Sequence, residues 1–126
     1  MNKNLLLIVI AVVLIVAGGL LIFGFSSFSK PKADITGIIL FYGDGCPHCK
    51  IVDDFITENK IEDKIKFSRL EVWFNKNNQA IISKVAETCG IKGDSVGVPF
   101  LYDGKGNCVV GDEPVINFFK NEANIK

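Results

Sequence analysis

Two cysteines with two residues between them, Cys46-Pro47-His48-Cys49, form the segment of this sequence that is best suited to chemistry. Thiols at this spacing can form a disulfide with each other or exchange it with another molecule. A strand-like apolar run over Ile38–Tyr42 precedes the pair, and a helix-like pattern begins at Pro47. The pair is therefore predicted at a helix N-terminus, where unpaired backbone N–H groups and positive partial charge stabilise a thiolate.

Helical periodicity predicts a different role for each thiol. Cys49 shares a helix face with Val52 and Ile56, so it is predicted to turn toward the core. Cys46 shares its face with polar residues and is predicted to stay open to solvent. We therefore expect Cys46 to be the attacking nucleophile and Cys49 to be the buried thiol that resolves the mixed disulfide.

The two residues between the cysteines fit the same chemistry. Pro47 fixes the first helical φ and has no N–H to leave unpaired. His48 is the only histidine of the chain. It is predicted to bring a positive charge or a hydrogen-bond donor near the Cys46 sulfur, which would make the disulfide a stronger oxidant.

Three other uses of the pair are disfavoured. A structural zinc site needs four ligands, and Cys89 and Cys108 are too far apart to form a second C-x-x-C. Haem attachment needs a histidine directly after the second cysteine, and Lys50 stands there. A purely structural disulfide would not explain an exposed sulfur beside the only histidine. Redox chemistry is therefore favoured.

Four further side chains are given structural roles. Cys89 lies on the apolar stripe of a predicted helix and Cys108 opens a predicted strand, so both are expected to be buried and free. A disulfide between them stays open as an alternative in an oxidising compartment. Trp73 and Phe74, just after the second predicted strand, are expected to pack in the core or at its rim.

Hydrophobic patterns predict the elements that position the pair. Strands are expected over residues 38–42, 65–73, 99–102 and 108–110, and helices over residues 47–59, 77–89 and 113–121, with Asp112 as the last N-cap. A helical crossover joins the first two strands, which should be parallel, and a glycine-containing loop joins the last two into an antiparallel hairpin. The predicted fold class is α/β, with a mixed four-stranded sheet flanked by helices in the order β-α-β-α-β-β-α.

The N-terminal part of the chain differs in composition from the rest. Residues 5–29 carry no charged side chain, and residues 5–25 are an apolar run that, at about 1.5 Å per residue, could cross a hydrocarbon core of roughly 30 Å. A cleaved signal peptide is the rival interpretation, but its apolar region is usually only about 7–15 residues long. We therefore predict one N-terminal transmembrane helix as an anchor within residues 1–29, a linker over residues 30–36 and one domain over residues 37–126.

Charge limits the partners of the chain. Lys plus Arg and Asp plus Glu each number 14, so no basic field predicts nucleic-acid binding. Positive charges on the two sides of the predicted anchor are nearly balanced, so they do not fix its orientation. An extracytoplasmic domain is predicted instead from the cysteine pair, because disulfide exchange is useful in an oxidising compartment.

A strand that leads into the C-x-x-C pair and a helix, followed later by Val98-Pro99 at the third strand, resembles the thioredoxin superfamily over about residues 37–121. The resemblance implies a cis Val98–Pro99 bond beside the cysteine pair. It also implies that the Val98 backbone pairs with an extended substrate segment. Val98 and Pro99 are therefore the expected substrate-binding residues.

Two details of the resemblance indicate different subgroups. Pro-His between the cysteines and Val98 before the proline resemble the DsbA type of disulfide oxidant, although that type carries a larger helical insertion than residues 72–98 can hold. The segment from Gly106 to Asp112 instead resembles glutaredoxin. That likeness implies a glutathione site at the start of the last helix, where Asp112 would repel a carboxylate.

One acid found in many members of that superfamily is missing. They have a buried acid on the first strand, six residues before the first cysteine, and this sequence has Leu40 there. Proton transfer to Cys49 must then use water, Asp44 or Glu71. Each acid also has a simpler role, Asp44 in a turn and Glu71 as a partner of Arg69.

The sequence thus predicts a thiol–disulfide oxidoreductase that needs no cofactor beyond the redox-active disulfide Cys46–Cys49. As an oxidant it would accept electrons from protein thiols, and a membrane partner would reoxidise it. Run in reverse, the same parts make a membrane-tethered disulfide reductase. An alternative of another class is a non-catalytic module that binds a metal or a partner through the two thiols.

Overall fold

The computed structural model of the protein describes residues 2–22, 35–92 and 96–126, with the backbone alone over residues 17–22. The chain divides into two compact units, Met1–Lys32 and Ala33–Lys126.

The described part of the first unit is a helix, α1 (Lys3–Ile22), whose side chains over residues 5–16 are apolar and exposed. The transmembrane helix was predicted over this region, and residues 23–25 and the linker residues 30–34 lie outside the described residues. In the described ranges, no helix is both long and apolar enough to cross a membrane, so the predicted transmembrane helix is not found there.

The second unit is a mixed sheet with helices on both faces. Its elements are β1 (Ile38–Tyr42), α2 (Pro47–Glu58), α3 (Ile61–Lys64), β2 (Phe67–Glu71), α4 (Lys76–Thr88), β3 (Phe100–Tyr102), β4 (Cys108–Val110) and α5 (Asp112–Glu122). The strand order is β2-β1-β3-β4, in which β1 is parallel to β2 and antiparallel to β3. β3 and β4 form the antiparallel hairpin. The predicted mixed four-stranded sheet is confirmed.

β1 lies inside the sheet because both of its faces are apolar. Successive side chains of a strand point to opposite faces. Ile39 and Phe41 therefore pack into one core cluster with α4, while Leu40 packs into a second cluster with α2 and α5. All three residues are at most 2% exposed, as the continuous apolar run predicts for a strand covered on both faces. The carboxyl end of β1 leads directly to the cysteine pair.

The longer helices bury the faces that their periodicity predicts. α2 buries Cys49, Val52 and Ile56, and α4 buries Ile82, Val85 and Ala86. The short helix α3 was not predicted, because four residues are too few to show a hydrophobic period. It begins after Lys60, which has a left-handed backbone with a φ of 51°.

Cys89 and Cys108 form a disulfide, so the expectation of two buried free thiols is wrong. Cys89 is the C-cap of α4 and is only half-buried, whereas the last fully buried residue of the helix stripe is Ala86. The β3–β4 hairpin returns Cys108 to the end of α4, where the two Cα atoms are 6.0 Å apart. This approach depends on how the hairpin packs, which the sequence spacing does not show.

Candidate redox site

A tight turn between β1 and α2 presents Cys46 at the helix N-terminus. The N–H of Cys46 donates to the carbonyl of Gly43 at 3.1 Å. Gly45 has a φ of 79°, a conformation that favours glycine. Cys46 is the N-cap with an extended backbone, and Pro47 is the first residue of α2. The predicted position of the pair at a helix start is confirmed.

The Cys46 sulfur takes the place that a capping oxygen has in most helices. The N–H of Cys49 donates to Cys46 Sγ at 3.2 Å, as an N–H of the first turn donates to an N-cap side chain. This donor and the positive end of the helix dipole stabilise negative charge on a sulfur at this position.

Cys46 is more buried than predicted. Its exposed fraction is 7%, the same as that of Cys49, so the expectation that it stays open to solvent is wrong. The helical phase behind that expectation does not apply, because Cys46 precedes the helix and its side chain folds over the helix end. The thiol lies 3.8 Å from the carbonyl oxygen of Val98. The Cys46 thiol is reached through a cleft of about 480 Å³, and both Cys46 and Cys49 line this cleft.

Cys49 faces the core, as predicted. Burial, followed by the hydrogen bond with the Cys46 side chain, raises the pKa of the Cys49 thiol to about 12. Both cysteines are free thiols, so the structure shows the dithiol form of the pair. At neutral pH the Cys49 sulfur is therefore protonated in this form.

The Val98–Pro99 peptide bond is cis, as the resemblance implied. Pro99 is buried, and its carbonyl accepts the N–H of Gly111 at 2.8 Å, which fixes this loop to the start of α5. Among the described residues, the Val98 N–H has no hydrogen-bond partner. The Val98 backbone can therefore donate to another chain beside Cys46.

His48 is exposed, and its ring contacts α5. Its Nδ1 lies 2.9 Å from Asp112 Oδ2, and within the described ranges no hydrogen bond joins His48 to Cys46. Gly111, not Asp112, is the N-cap of α5, so the predicted cap is wrong. The Asp112 carboxylate accepts instead from His48 and from the N–H of Glu113. These bonds, that of His48 foremost, lower the pKa of Asp112.

Glu71 organises the turn after β2. Its carboxylate accepts backbone N–H groups from Asp44, Trp73, Phe74 and Asn75. Burial disfavours the ionised carboxylate, but these N–H donors together outweigh it, so the pKa of Glu71 is lowered. β2 therefore ends at Glu71, before the predicted end at Trp73.

The cleft contains an acid that the sequence reasoning missed. Arg69 pairs with Asp53 and Glu62, not with Glu71 as expected. Asp53 follows Cys49 by one helical turn and lines the same cleft. Its i, i+4 spacing to Cys49 is the signal that could have identified it.

The sequence leaves Asp44 and Glu71 as candidate proton carriers for Cys49, and only one of them lines the cleft. Asp44 lines the cleft, together with the apolar Leu40. Glu71 does not line it, and its carboxylate is held by backbone donors. The acids that reach the cleft are therefore Asp44 and Asp53.

Over residues 2–22, 35–92 and 96–126, no group of three or more His, Cys, Asp or Glu side chains is arranged to hold a metal ion.

Comparison with protein-family models finds no match, and a search of curated proteins finds none either. The chain's own structure shows a small α/β domain with a thioredoxin-like sheet topology, the Cys46–Cys49 pair and the Cys89–Cys108 disulfide.

Proposed function

We propose that this protein is a thiol–disulfide oxidoreductase that oxidises protein thiols through Cys46 and Cys49. The observation that carries the proposal is the position of Cys46 Sγ, which receives the Cys49 N–H at 3.2 Å and lies 3.8 Å from the Val98 carbonyl. A helix-terminal thiol, a second thiol one turn later and the Val98 N–H, which has no partner among the described residues, would supply attack, resolution and substrate alignment.

In the oxidising direction the enzyme begins with a Cys46–Cys49 disulfide. A substrate thiolate attacks Cys46 Sγ, the bond between the two enzyme sulfurs breaks, and Cys49 leaves as a thiolate that takes up a proton. A second substrate thiolate then attacks the substrate sulfur of the mixed disulfide, and Cys46 leaves as a thiolate. Two electrons pass to the enzyme, which becomes a dithiol, and the substrate becomes a disulfide.

The environment of Cys49 affects both directions of exchange, because a sulfur with a raised pKa is also a poorer leaving group when a substrate thiolate attacks the enzyme disulfide. Because burial raises the pKa of Cys49 to about 12, the leaving sulfur is held as a thiol at neutral pH and attacks the mixed disulfide slowly. The second substrate thiol therefore has time to complete the reaction. In the reductase direction the same Cys49 must first lose its proton.

The Cys89–Cys108 disulfide supports an oxidising location. Disulfides persist in extracytoplasmic compartments and are rare where thiols are kept reduced. We therefore propose an extracytoplasmic activity in which a separate redox partner reoxidises the dithiol.

Exchange with a synthetic peptide that contains two cysteines tests the proposed chemistry. The oxidised full chain should convert the peptide to its disulfide, as measured by mass spectrometry. Cys46→Ser should abolish this activity, and Cys49→Ser, loaded as a mixed disulfide with a model thiol, should keep a stable adduct on Cys46. The double variant Cys89→Ser/Cys108→Ser is the matched control and should retain exchange. Absent exchange together with stoichiometric zinc on the purified chain would support the metal-binding alternative instead.

The reduction potential of the pair tests the direction. We expect a value nearer to the roughly −120 mV of DsbA than to the roughly −270 mV of thioredoxin. It can be measured by equilibrating the full chain in glutathione buffers and counting alkylated thiols. A value at or below that of thioredoxin would favour the reductase.

A further inference from the structure

The ring of His48 is bound to α5, although its sequence position is between the two thiols. Its Nδ1 lies 2.9 Å from Asp112 Oδ2, while 69% of the His48 side chain is exposed. Among the described residues, the ring forms no other hydrogen bond. Exposed side chains exchange rapidly between rotamers, so the contact with Asp112 selects one direction for a ring that has room to turn.

Asp112 is itself fixed at the start of α5. Its Oδ1 accepts the N–H of Glu113 at 3.0 Å, which leaves Oδ2 for the ring. The preceding residue, Gly111, donates its N–H to the Pro99 carbonyl at 2.8 Å. Only 29% of the Asp112 side chain is exposed. The carboxylate is therefore the fixed partner of the pair, and the ring is the movable one.

This bond determines which nitrogen of the ring carries a proton. The pKa of Asp112 is lowered, with the hydrogen bond of His48 as the first cause, so the carboxyl group is ionised at neutral pH. An ionised carboxylate only accepts hydrogen bonds. Nδ1 of His48 therefore carries a hydrogen, and in the neutral ring Nε2 does not. A neutral ring held in this way has no N–H left to donate to a sulfur.

The other groups around the Cys46 sulfur belong to the backbone or are covered by it. The Val98 carbonyl lies 3.8 Å from the sulfur. The turn before Cys46 is covered by Trp73, whose ring lies on the Gly43 backbone, because a Cβ added at Gly43 would collide with the indole. Trp73 was expected in the core or at its rim and is 48% exposed. The side chain that can change the electrostatics at the sulfur by turning is therefore that of His48.

We propose that Asp112 is a positioning residue that keeps the His48 ring from donating to the Cys46 thiolate and thereby makes the pair a weaker oxidant. The proposal rests on the proposed function and adds a residue that sets the strength of the same site. A donor at the thiolate stabilises the dithiol form, and a more stable dithiol form means a stronger oxidant. Without Asp112 the ring is released toward the sulfur, so the reduction potential rises.

The equilibrium of the full chain with glutathione tests this role. In that reaction the Cys46–Cys49 dithiol gives two electrons and two protons to one oxidised glutathione, which yields the enzyme disulfide and two glutathione thiols. Asp112→Ala should lower the equilibrium constant about tenfold, which is a rise of about 30 mV in the potential. The matched control is Glu113→Ala, which removes a neighbouring charge that forms no hydrogen bond with His48 among the described residues. It should change the constant much less.

A double variant shows whether Asp112 acts through the ring. In a His48→Ala background, Asp112→Ala should change the equilibrium constant no more than Glu113→Ala does. The same tenfold effect with and without His48 would refute the positioning role, because the Asp112 charge would then act on the sulfur directly. An unchanged or lower potential of Asp112→Ala with His48 present would refute it as well.

The ring can also be observed in wild type, which makes the test independent of how the variants fold. His48 is the only histidine, so long-range ¹H–¹⁵N spectra of the reduced full chain show a single imidazole. At a pH where the ring is neutral, Nδ1 should carry the proton, and a proton on Nε2 would overturn the inference.

Failure of the proposed function gives a different result. Wild type would then form no Cys46–Cys49 disulfide in any glutathione buffer. If only the inference fails, wild type has a measurable potential and Asp112→Ala shares it.

Discussion

The two thiols of the pair are equally hidden from solvent and differ in what surrounds each sulfur. Cys46 and Cys49 are each 7% exposed. The Cys46 sulfur receives a backbone N–H at a helix end and lines the cleft, whereas Cys49 is turned into the core, where burial raises its pKa to about 12. The different roles proposed for them therefore rest on electrostatics and side-chain direction, and not on accessibility alone.

This difference predicts which thiol of the reduced protein is alkylated. With a pKa of about 12 for Cys49, the thiolate fraction of Cys49 at pH 7 is on the order of 10⁻⁵, since each pH unit below the pKa lowers it tenfold. Iodoacetamide at pH 7 should therefore modify Cys46 first, as tandem mass spectrometry of the peptide that contains both cysteines can show. Comparable early labelling of Cys49 would contradict the assignment of roles.

Glu71 predicts a pH-dependent contribution to stability. Its folded pKa is lowered, because backbone N–H donors outweigh its burial. The stabilisation is therefore present above the unfolded pKa of about 4.3 and is lost as the pH falls through the lower folded pKa. Urea unfolding should show Glu71→Gln to be less stable than wild type at pH 7, with the difference shrinking toward pH 3.

The control for Glu71→Gln is Glu87→Gln, which removes an exposed carboxylate of α4 without a hydrogen bond among the described residues. It should change the unfolding free energy little at either pH. If the unfolding free energy of Glu71→Gln were below that of wild type by the same amount at pH 7 and at pH 3, the loss would come from the changed side chain and not from its lost charge.

At the scale of the elements, local patterns predicted most of the fold. The apolar run of β1 and the stripes of α2 and α4 gave correct elements within one or two residues, because burial of a face leaves a period in the sequence. The cis Val98–Pro99 bond was predicted from the resemblance to the thioredoxin superfamily. The sequence pattern did not predict the burial of Cys46, because Cys46 is the N-cap of α2 and its side-chain direction does not follow the helical phase.

The sequence pattern did not predict contacts between segments that are far apart in the chain. The His48–Asp112 hydrogen bond joins residues 64 positions apart. The Glu71 carboxylate holds a turn 27 residues earlier in the chain. Neither leaves a periodic signal, since each depends on how complete elements pack together. The Cys89–Cys108 disulfide was an open alternative for the same reason.

That disulfide predicts a measurable share of stability. It closes a loop over a sequence separation of 19 residues, and the chain-entropy estimate for a loop of this size is about 3 kcal/mol. Cys89→Ser/Cys108→Ser should therefore lower the free energy of unfolding by about this amount in urea titrations under non-reducing conditions. Wild type with its disulfides reduced should approach the same value. A loss well below about 1 kcal/mol would mean that the loop stays ordered in the unfolded state.

At the scale of the whole molecule, the buried residues of the described chain all belong to the second unit. The core clusters lie on the two faces of the sheet, and their fully buried members run from Ile39 to Phe119. Both clusters include side chains of the same central strand, β1. The two faces should therefore unfold together.

This arrangement predicts that residues 33–126 fold as a cooperative unit. A fragment with this range should show one urea transition with the same midpoint as the corresponding transition of the full chain, since it keeps every buried core residue named above. Circular dichroism and a size measurement would report the transition independently. Two separate transitions would contradict the joint unfolding of the two faces, and a strongly lowered midpoint would show that stabilising contacts outside these clusters had been removed.

The contact between Trp73 and Gly43 also gives the protein an intrinsic optical reporter. Trp73 is the only tryptophan of the chain, and its indole lies on the turn whose carbonyl accepts the Cys46 N–H. Its emission should therefore change with the oxidation of the pair and with the arrival of a peptide, without any added label. Stopped-flow fluorescence of the unmodified chain could follow each half of the proposed exchange reaction in real time.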